Sequence, residues 1–242
     1  LTKWYKNGKK NWEVTYKDGK LDGLGTGWYE NGKKKSERNH KDGVSKCTFW
    51  YENGQKKEEG TYKDGEPDGL WTYWHENGQK KEEKTFKDGE LDGLYTEWRW
   101  DGGKEEGTYK DGKKDGLWTG WYSYNIRQKW FEKTYKDGEL DGLCTWWYAN
   151  GQKKKEETYK DGEKDGLHTG WYDNGQKQYE HTYKDLRKDG LFTEWRDNGQ
   201  KKREGTLKGG KEDGKWTWWS SNGQKSFEGT YKDGELIDSK DY

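Results

Sequence analysis

The sequence has no methionine, only two cysteines and no apolar run longer than a few residues. Without a long apolar run, no transmembrane segment is predicted. The small number of cysteines argues against a small secreted scaffold held together by disulfides. Leu1 already lies inside a repeated pattern. Together with the missing methionine, this indicates a processed or truncated N-terminus, so a removed targeting segment is possible and the localisation stays unknown.

The chain also lacks a surplus of either charge, with 47 Lys and Arg against 47 Asp and Glu. A nucleic-acid-binding protein needs a basic surplus to release counterions, so no nucleic-acid partner is expected. Hydrophobic residues make up only 26% of the chain and charged residues 39%, which suggests disorder. The aromatic content of 17% argues against disorder. A thin structure with a large surface and an aromatic interior strip fits both observations.

A Thr-x-Trp motif recurs ten times, at intervals of 22 to 26 residues. Its tryptophans are Trp4, Trp28, Trp50, Trp74, Trp98, Trp121, Trp147, Trp171, Trp195 and Trp219. An Asn-Gly pair follows most of them, and a Thr-Tyr or Thr-Phe pair and a KDGxxDG segment come next. The two copies without Asn-Gly also depart from the common spacing: Asp101-Gly102 replaces the pair in one, and Ser123–Gln128 in the other. Because insertions and deletions concentrate at turns, the pattern indicates an array of hairpins.

Each copy carries the signals of one β-hairpin. Trp71–His75 alternates in character, and Asn77-Gly78 predicts a type I′ turn, in which both central residues have positive φ. The polar segment Gln79–Phe86 returns, and KDGxxDG leads into the next copy. The sequence therefore predicts an all-β fold, an elongated open antiparallel β-meander of about ten hairpin repeats. The whole chain, 1–242, is predicted to form a single repeat array.

Alternation along the strands separates two faces. Leu70, Thr72 and Trp74 point one way and are nearly constant among the copies, so that face is expected to be the packed one. The predicted structural core is Leu70, Thr72, Trp74, Leu94, Trp98, Leu143, Trp147, Leu167, Trp171 and Trp195. The opposite, variable face gives a candidate binding face: Trp71, Tyr73, Trp118, Trp146, Tyr148, Trp216 and Trp218. The alternative is that this face packs too. The face of the Thr-Tyr tyrosines stays open, because it depends on the hairpin register.

Two sequence runs carry a resemblance to a known family. One is Gly-Thr-Tyr-Lys-Asp-Gly, as in Gly60–Gly65, and the other is Asp-Gly-Leu-x-Thr-x-Trp, as in Asp68–Trp74 and Asp165–Trp171. The unit resembles the MORN repeat, in the variant form found in bacterial antitoxin components of the YwqK type. The resemblance covers essentially the whole chain. It implies an elongated β-meander without catalytic activity, used as a scaffold for protein docking, dimerisation or phospholipid contact. The antitoxin label implies a toxin partner.

No catalytic residue, cofactor or metal site is predicted. The four histidines, His40, His75, His168 and His181, occupy different phases of the repeat and are expected to lie far apart. No nucleophile–base pair and no phosphate loop is apparent. Cys47 and Cys144 share one phase four repeats apart, so both are predicted to be unpaired thiols. The DGxxDG loops place carboxylates close together, which leaves open a Ca²⁺ site or a plain turn.

The sequence therefore favours a non-enzymatic repeat scaffold that presents an extended β-sheet surface to another protein, with toxin neutralisation as one form of this role. One alternative is a filament or surface component that assembles by end-to-end pairing of edge strands. Another is a glycan or lipid-surface binder that uses the variable aromatic face. The expected partner is another protein of unknown identity or copies of the same chain.

Overall fold

The computed structural model describes residues 1–123 and 126–242, which form 22 β-strands and no helix. Within these residues, no helix capable of crossing a membrane is found. The chain divides into two compact units, Leu1–Lys114 and Asp115–Tyr242. That residues 1–242 form a single repeat array remains a prediction.

The first unit contains ten consecutive strands: β1 (Thr2–Trp4), β2 (Lys10–Lys17), β3 (Lys20–Trp28), β4 (Lys34–Lys41), β5 (Val44–Trp50), β6 (Lys56–Lys63), β7 (Glu66–Trp74), β8 (Lys80–Lys87), β9 (Glu90–Trp98) and β10 (Lys104–Lys110). Each strand pairs antiparallel with the next along the chain.

The second unit contains β11 (Lys113–Trp121), which begins at the end of the first unit, and β12 (Lys129–Lys136), β13 (Glu139–Leu140), β14 (Gly142–Trp147), β15 (Lys153–Lys160), β16 (Glu163–Trp171), β17 (Lys177–Lys184), β18 (Arg187–Trp195), β19 (Lys201–Lys208), β20 (Lys211–Trp219), β21 (Lys225–Lys232) and β22 (Glu235–Asp241). Consecutive strands again pair antiparallel, and β13 and β14 both pair with β12. The prediction of an open antiparallel β-meander of hairpins is confirmed.

The turns differ from the prediction in type. Of the pair Asn77-Gly78, only the glycine has a positive φ, of 81°. Gly78 N donates to His75 O at 2.9 Å, and His75 N donates to Gln79 O at 2.9 Å. These bonds close a three-residue loop in which the last residue is left-handed. The prediction of a type I′ turn at Asn-Gly is therefore wrong, because the loop is one residue longer than a type I′ hairpin allows.

The type I′ turn occurs instead at the first Asp-Gly of KDGxxDG. Asp64 and Gly65 both have positive φ, 49° and 92°, and Lys63 pairs directly with Glu66. The second Asp-Gly lies inside β7, where the register shifts between the pairs Glu59–Thr72 and Thr61–Asp68. It is therefore a bulge and not part of a turn.

Burial contradicts the prediction that the leucines are packed and the tryptophans of the opposite face are exposed. We call the side of Leu70, Thr72, Trp74 and their repeat equivalents the leucine face, and the side of Trp71, Tyr73 and their equivalents the aromatic face. Trp71 is 2% exposed, and Leu70 is 56% exposed. Trp71 is covered because its ring lies against Gly60 of β6, where a Cβ would be 2.2 Å from a ring carbon. Leu70 pairs with Thr85, whose short side chain leaves it in solvent.

The predicted core is therefore wrong for its leucines and only partly right for the rest. Four predicted core residues are exposed: Leu70, Leu94, Leu143 and Leu167. The others are half-buried: Thr72, Trp74, Trp98, Trp147, Trp171 and Trp195. In the second unit the aromatic face supplies the core, where Phe192, Leu207 and Trp216 are buried against Trp218 and Tyr231.

Candidate functional site

A row of buried polar side chains crosses the aromatic face of the second unit. Glu157 of β15 pairs with His168 of β16, His168 pairs with His181 of β17, and His181 pairs with Phe192 of β18. All four side chains are buried. The rings of His168 and His181 are stacked with centroids 6.0 Å apart. The expectation that the histidines lie far apart is wrong for this pair, because antiparallel pairing brings different phases of the repeat side by side.

His168 takes over a structural role from tryptophan. In two other repeats, Trp71 Nε1 donates to Thr61 O and Trp216 Nε1 donates to Thr206 O, each at 3.0 Å. His168 Nε2 makes the equivalent contact with Thr158 O at 3.1 Å. A carbonyl only accepts, so this nitrogen carries a proton. His168 Nδ1 is then left 3.7 Å from Glu157 Oε1.

Glu157 is a buried carboxylate with several cationic and polar neighbours. Its Oε2 accepts from Lys155 Nζ at 2.9 Å and from Tyr159 OH at 2.8 Å, and its Oε1 lies 3.5 Å from Lys164 Nζ. Burial disfavours its charged form, but His168, Lys155 and Tyr159 favour that form more strongly, so the pKa of Glu157 lies well below its usual range. Burial and the bond to Glu157 raise the pKa of Tyr159.

A cavity of about 350 Å³ opens beside this row. It is lined by Glu157, Lys164, His168, Gln178, Tyr179, His181, Tyr183, Lys188, Phe192, Glu194 and Arg203. Glu194 is paired at its rim, with Arg203 Nε at 2.6 Å and Lys202 Nζ at 2.7 Å. His181 Nδ1 is buried and has no hydrogen-bond partner among residues 1–123 and 126–242. Burial and the charges of Lys188, His168 and Lys164 lower the pKa of His181 to about 4. His181 is therefore neutral at neutral pH.

The candidate binding face is mostly part of the packed structure. Trp71, Trp118 and Trp216 are 2%, 0% and 1% exposed, so the prediction that they offer a docking surface is wrong. The size of the indole rings explains their burial, because flat rings fill the space over small residues such as Gly60 and Gly205 on the neighbouring strand.

The four other members of the predicted binding face are partly buried: Tyr73, Trp146, Tyr148 and Trp218. Tyr148 OH donates to Trp171 O of the next repeat at 2.9 Å, and Tyr51 OH donates to Trp74 O at 2.8 Å. These tyrosines join neighbouring repeats. Burial raises the pKa of Tyr73 to about 12. A binding role for the four residues stays a prediction.

The leucine face of the second unit carries a row of exposed apolar side chains. Leu117, Leu143, Leu167 and Leu191 are between 52% and 59% exposed. Beside the row, Lys153 Nζ lies 5.7 Å from the ring centroid of Trp171 and 2.5 Å from Glu156. The same arrangement recurs in other repeats. These Lys–Glu pairs therefore lie over the tryptophan rings of the leucine face.

A family model for the MORN repeat variant matches the chain at residues 21–42, 45–64, 67–88, 140–161, 164–185 and 212–233, which together are more than half of its length. The chain belongs to the MORN repeat variant family. A comparison with curated proteins finds no match. The residues that recur in these MORN repeats, Leu70, Thr72, Trp74 and their equivalents, lie on the leucine face.

Three features of this MORN array were missed or left open from the sequence. The His168–His181 contact requires the register, although a signal was present: Lys164 and Lys188 stand where other repeats have Leu91 and Leu140. The irregular turn Ser123–Gln128 includes residues 124 and 125, which lie outside the described residues. Within 1–123 and 126–242, no group of three or more His, Cys, Asp or Glu residues is placed to hold a metal ion. Cys47 and Cys144 are buried free thiols, as predicted.

Proposed function

We propose that this MORN array is a non-enzymatic scaffold that binds another protein through the leucine face of its second unit. The observation that carries the proposal is the row of Leu117, Leu143, Leu167 and Leu191, all exposed on one face. Because each leucine is already about half buried, covering the rest of one side chain contributes about 1–1.5 kcal/mol, and four in line add up to a substantial part of the free energy of a specific association.

The spacing of the row favours an amphipathic α-helix as the occupant. Successive leucines belong to alternate strands, which places them about 9.6 Å apart. Seven residues of an α-helix rise about 10.5 Å, so an apolar residue repeated every seven positions would meet one leucine per heptad. Over four leucines the mismatch grows to only about 2–3 Å, within the reach of a leucine side chain.

The borders of the row are suited to such a helix. Lys153–Glu156 and Lys177–Glu180 place both charges beside the leucines, so a helix with mixed flanking charges can pair with either. Lys46 and Lys215 occupy the leucine position in two other repeats, which shows that the fold tolerates lysine there.

The antitoxin role implied by the resemblance is one form of this function, with a toxin as the partner. It predicts that the product of a neighbouring reading frame binds the leucine face and loses its toxicity. If a variant with lysines in place of the leucines of the row neutralises the toxin as well as the wild type does, the antitoxin role through the leucine face is contradicted.

The test uses a synthetic four-heptad amphipathic peptide and a scrambled peptide of the same composition, with binding followed by calorimetry. The double variant Leu143→Lys, Leu167→Lys should lower the affinity at least about tenfold, since two apolar contacts are lost. Leu24→Lys makes the same change in the first unit and is the matched control, which should bind as the wild type does. Equal binding of the scrambled peptide, or an unchanged affinity in the double variant, would contradict the proposal. Wild-type dimers in sedimentation that disappear in the double variant would show that the occupant is a second copy instead.

A further inference from the structure

One place on the aromatic face gathers basic side chains from adjoining repeats. Lys164 and Lys188 stand where several other repeats have apolar residues such as Leu91 and Leu140, although Lys114 and Glu212 share that position. His168 stands where Trp71, Trp118 and Trp216 stand. The side chains of Lys164, Lys188 and His168 line the same cavity. Polar side chains from two adjoining repeats therefore meet at one point of a face that buries indole rings in the tryptophan repeats.

The cavity lies where both members of the tryptophan–glycine pair are replaced. In the tryptophan repeats the indole lies against a glycine, with Trp71 on Gly60 and Trp216 on Gly205. In the cavity repeats the smaller ring of His168 faces Glu157, and Phe192 faces His181. Replacing indole by imidazole removes ring volume without removing the backbone hydrogen bond that holds the ring. A cavity of about 350 Å³ results, a size typical of small-molecule sites.

The charge in the cavity is unevenly compensated. Glu157 is paired with Lys155 and Lys164, and Glu194 is paired with Lys202 and Arg203. Lys188 makes no ion pair within the described part of the chain, and burial together with the charges of Arg203 and Lys164 lowers its pKa. A partly buried cation without an ion pair favours the binding of an anion.

The cations lie over aromatic rings that form the cavity wall. Lys188 Nζ is 5.3 Å and Arg203 Cζ is 4.9 Å from the ring centroid of Phe192. Lys164 Nζ is 5.3 Å from the ring centroid of Tyr183. An anionic group placed among these three cations would therefore leave the rest of its molecule against aromatic surface.

His181 adds an unused polar atom to this wall. His181 is 7% exposed and lines the cavity, and its Nδ1 has no hydrogen-bond partner in the part of the chain that the structure describes. A buried polar atom without a partner costs free energy, so its retention calls for an explanation. A ligand that hydrogen-bonds to the imidazole would remove that cost.

We propose that this cavity binds a small organic anion, whose carboxylate or phosphate group is held by Lys164, Lys188 and Arg203 and whose apolar part packs on Tyr183 and Phe192. His181 gives the ligand a further hydrogen-bond partner inside the cavity. The site lies on the aromatic face, so it does not depend on the protein-docking role of the leucine face.

The test titrates the full chain with benzoate, phenyl phosphate, inorganic phosphate and benzylamine, followed by calorimetry and by the NMR signals of the His181 ring. The two aromatic anions should saturate the protein and shift the His181 signals, and the stronger of them identifies the preferred head group. Lys188→Leu restores the residue of other repeats, so the fold should persist. It should weaken binding at least about tenfold, as expected for one lost hydrogen bond to a charged group. The exposed Lys184→Leu on β17 is the matched control and should bind as the wild type does.

Three results would overturn the proposal. The first is no saturable binding of either aromatic anion, and the second is equal affinity in the wild type and Lys188→Leu. The third is either control ligand binding as tightly as phenyl phosphate. Equal binding of inorganic phosphate would show that the site does not recognise the organic part of the ligand. Equal binding of benzylamine would show that it does not recognise the negative charge.

Discussion

The indole of Trp71 lies so close to the backbone of Gly60 that a Cβ on the glycine would be 2.2 Å from a ring carbon. The contact buries the largest side chain type against the smallest, across two strands of one sheet. Trp216 and Gly205 repeat it at 2.1 Å. Close contacts of this kind give the aromatic face a packed interior.

Gly60→Ala should destabilise the protein by about 1–3 kcal/mol, the usual cost of overpacking, because the ring cannot stay in place. Gly25→Ala is the control, since its Cβ would meet its nearest neighbour at an ordinary 3.4 Å. The free energy of unfolding in urea measures both. Equal stability of the two variants would mean that the indole does not rest on the glycine.

Tyr148→Phe should cost about 1 kcal/mol, the net contribution of one hydrogen bond, because it removes the donor to Trp171 O in the next repeat. Tyr16, which is 50% exposed, gives the control substitution Tyr16→Phe, and that change should be nearly neutral. A Tyr148→Phe protein as stable as the wild type would remove this tyrosine from the contacts that join repeats.

Stability should fall between about pH 6.5 and pH 4 because of His181. Its folded-state pKa is lowered to about 4 from an ordinary 6.5, so the unfolded chain binds more protons in that window. The contribution of His181 is complete above pH 6.5 and is lost as the pH falls to 4, by up to about 3 kcal/mol. His181→Gln should flatten the slope of unfolding free energy against pH in this window. A slope unchanged by the substitution would place the titration elsewhere.

Lys188→Leu should leave the stability unchanged or raise it by about 1 kcal/mol, because an unpaired, partly buried cation is replaced by the residue of other repeats. The free energy of unfolding at pH 7 measures the change. A loss of more than about 2 kcal/mol would show that Lys188 serves the fold rather than a ligand.

The repeat, the hairpins and their antiparallel order were predicted from the sequence, because spacing and turn residues are local signals. The buried face was not. Leu70 and Trp71 are neighbours on one strand, and strand alternation places them on two faces without saying which face is covered. The near-constancy of the leucine position predicts that Leu70 is buried. Trp71 is buried instead, because its ring lies against Gly60 on the neighbouring strand.

The candidate site was the least predictable part of the molecule. His168 and His181 differ in phase within the repeat and meet only through the register of β16 and β17, which bulges shift. What the sequence did show is that Lys164 and Lys188 replace a residue that is leucine in copies such as those of Leu91 and Leu140. The predicted variable face also includes the repeat position shared by Trp71 and His168, so it pointed toward this region.

Thiol reactivity tests the assignment of the two faces most directly, because the chain carries its own buried reporters. Cys47 and Cys144 occupy the same repeat position as Trp71, both are buried, and burial raises the pKa of Cys144. The wild type should therefore react with a thiol reagent only on unfolding. Leu167→Cys should add one thiol that reacts in the folded protein at the rate of a free cysteine. Rapid reaction of Cys47 and Cys144 in the folded wild type, with a protected thiol in Leu167→Cys, would contradict the account.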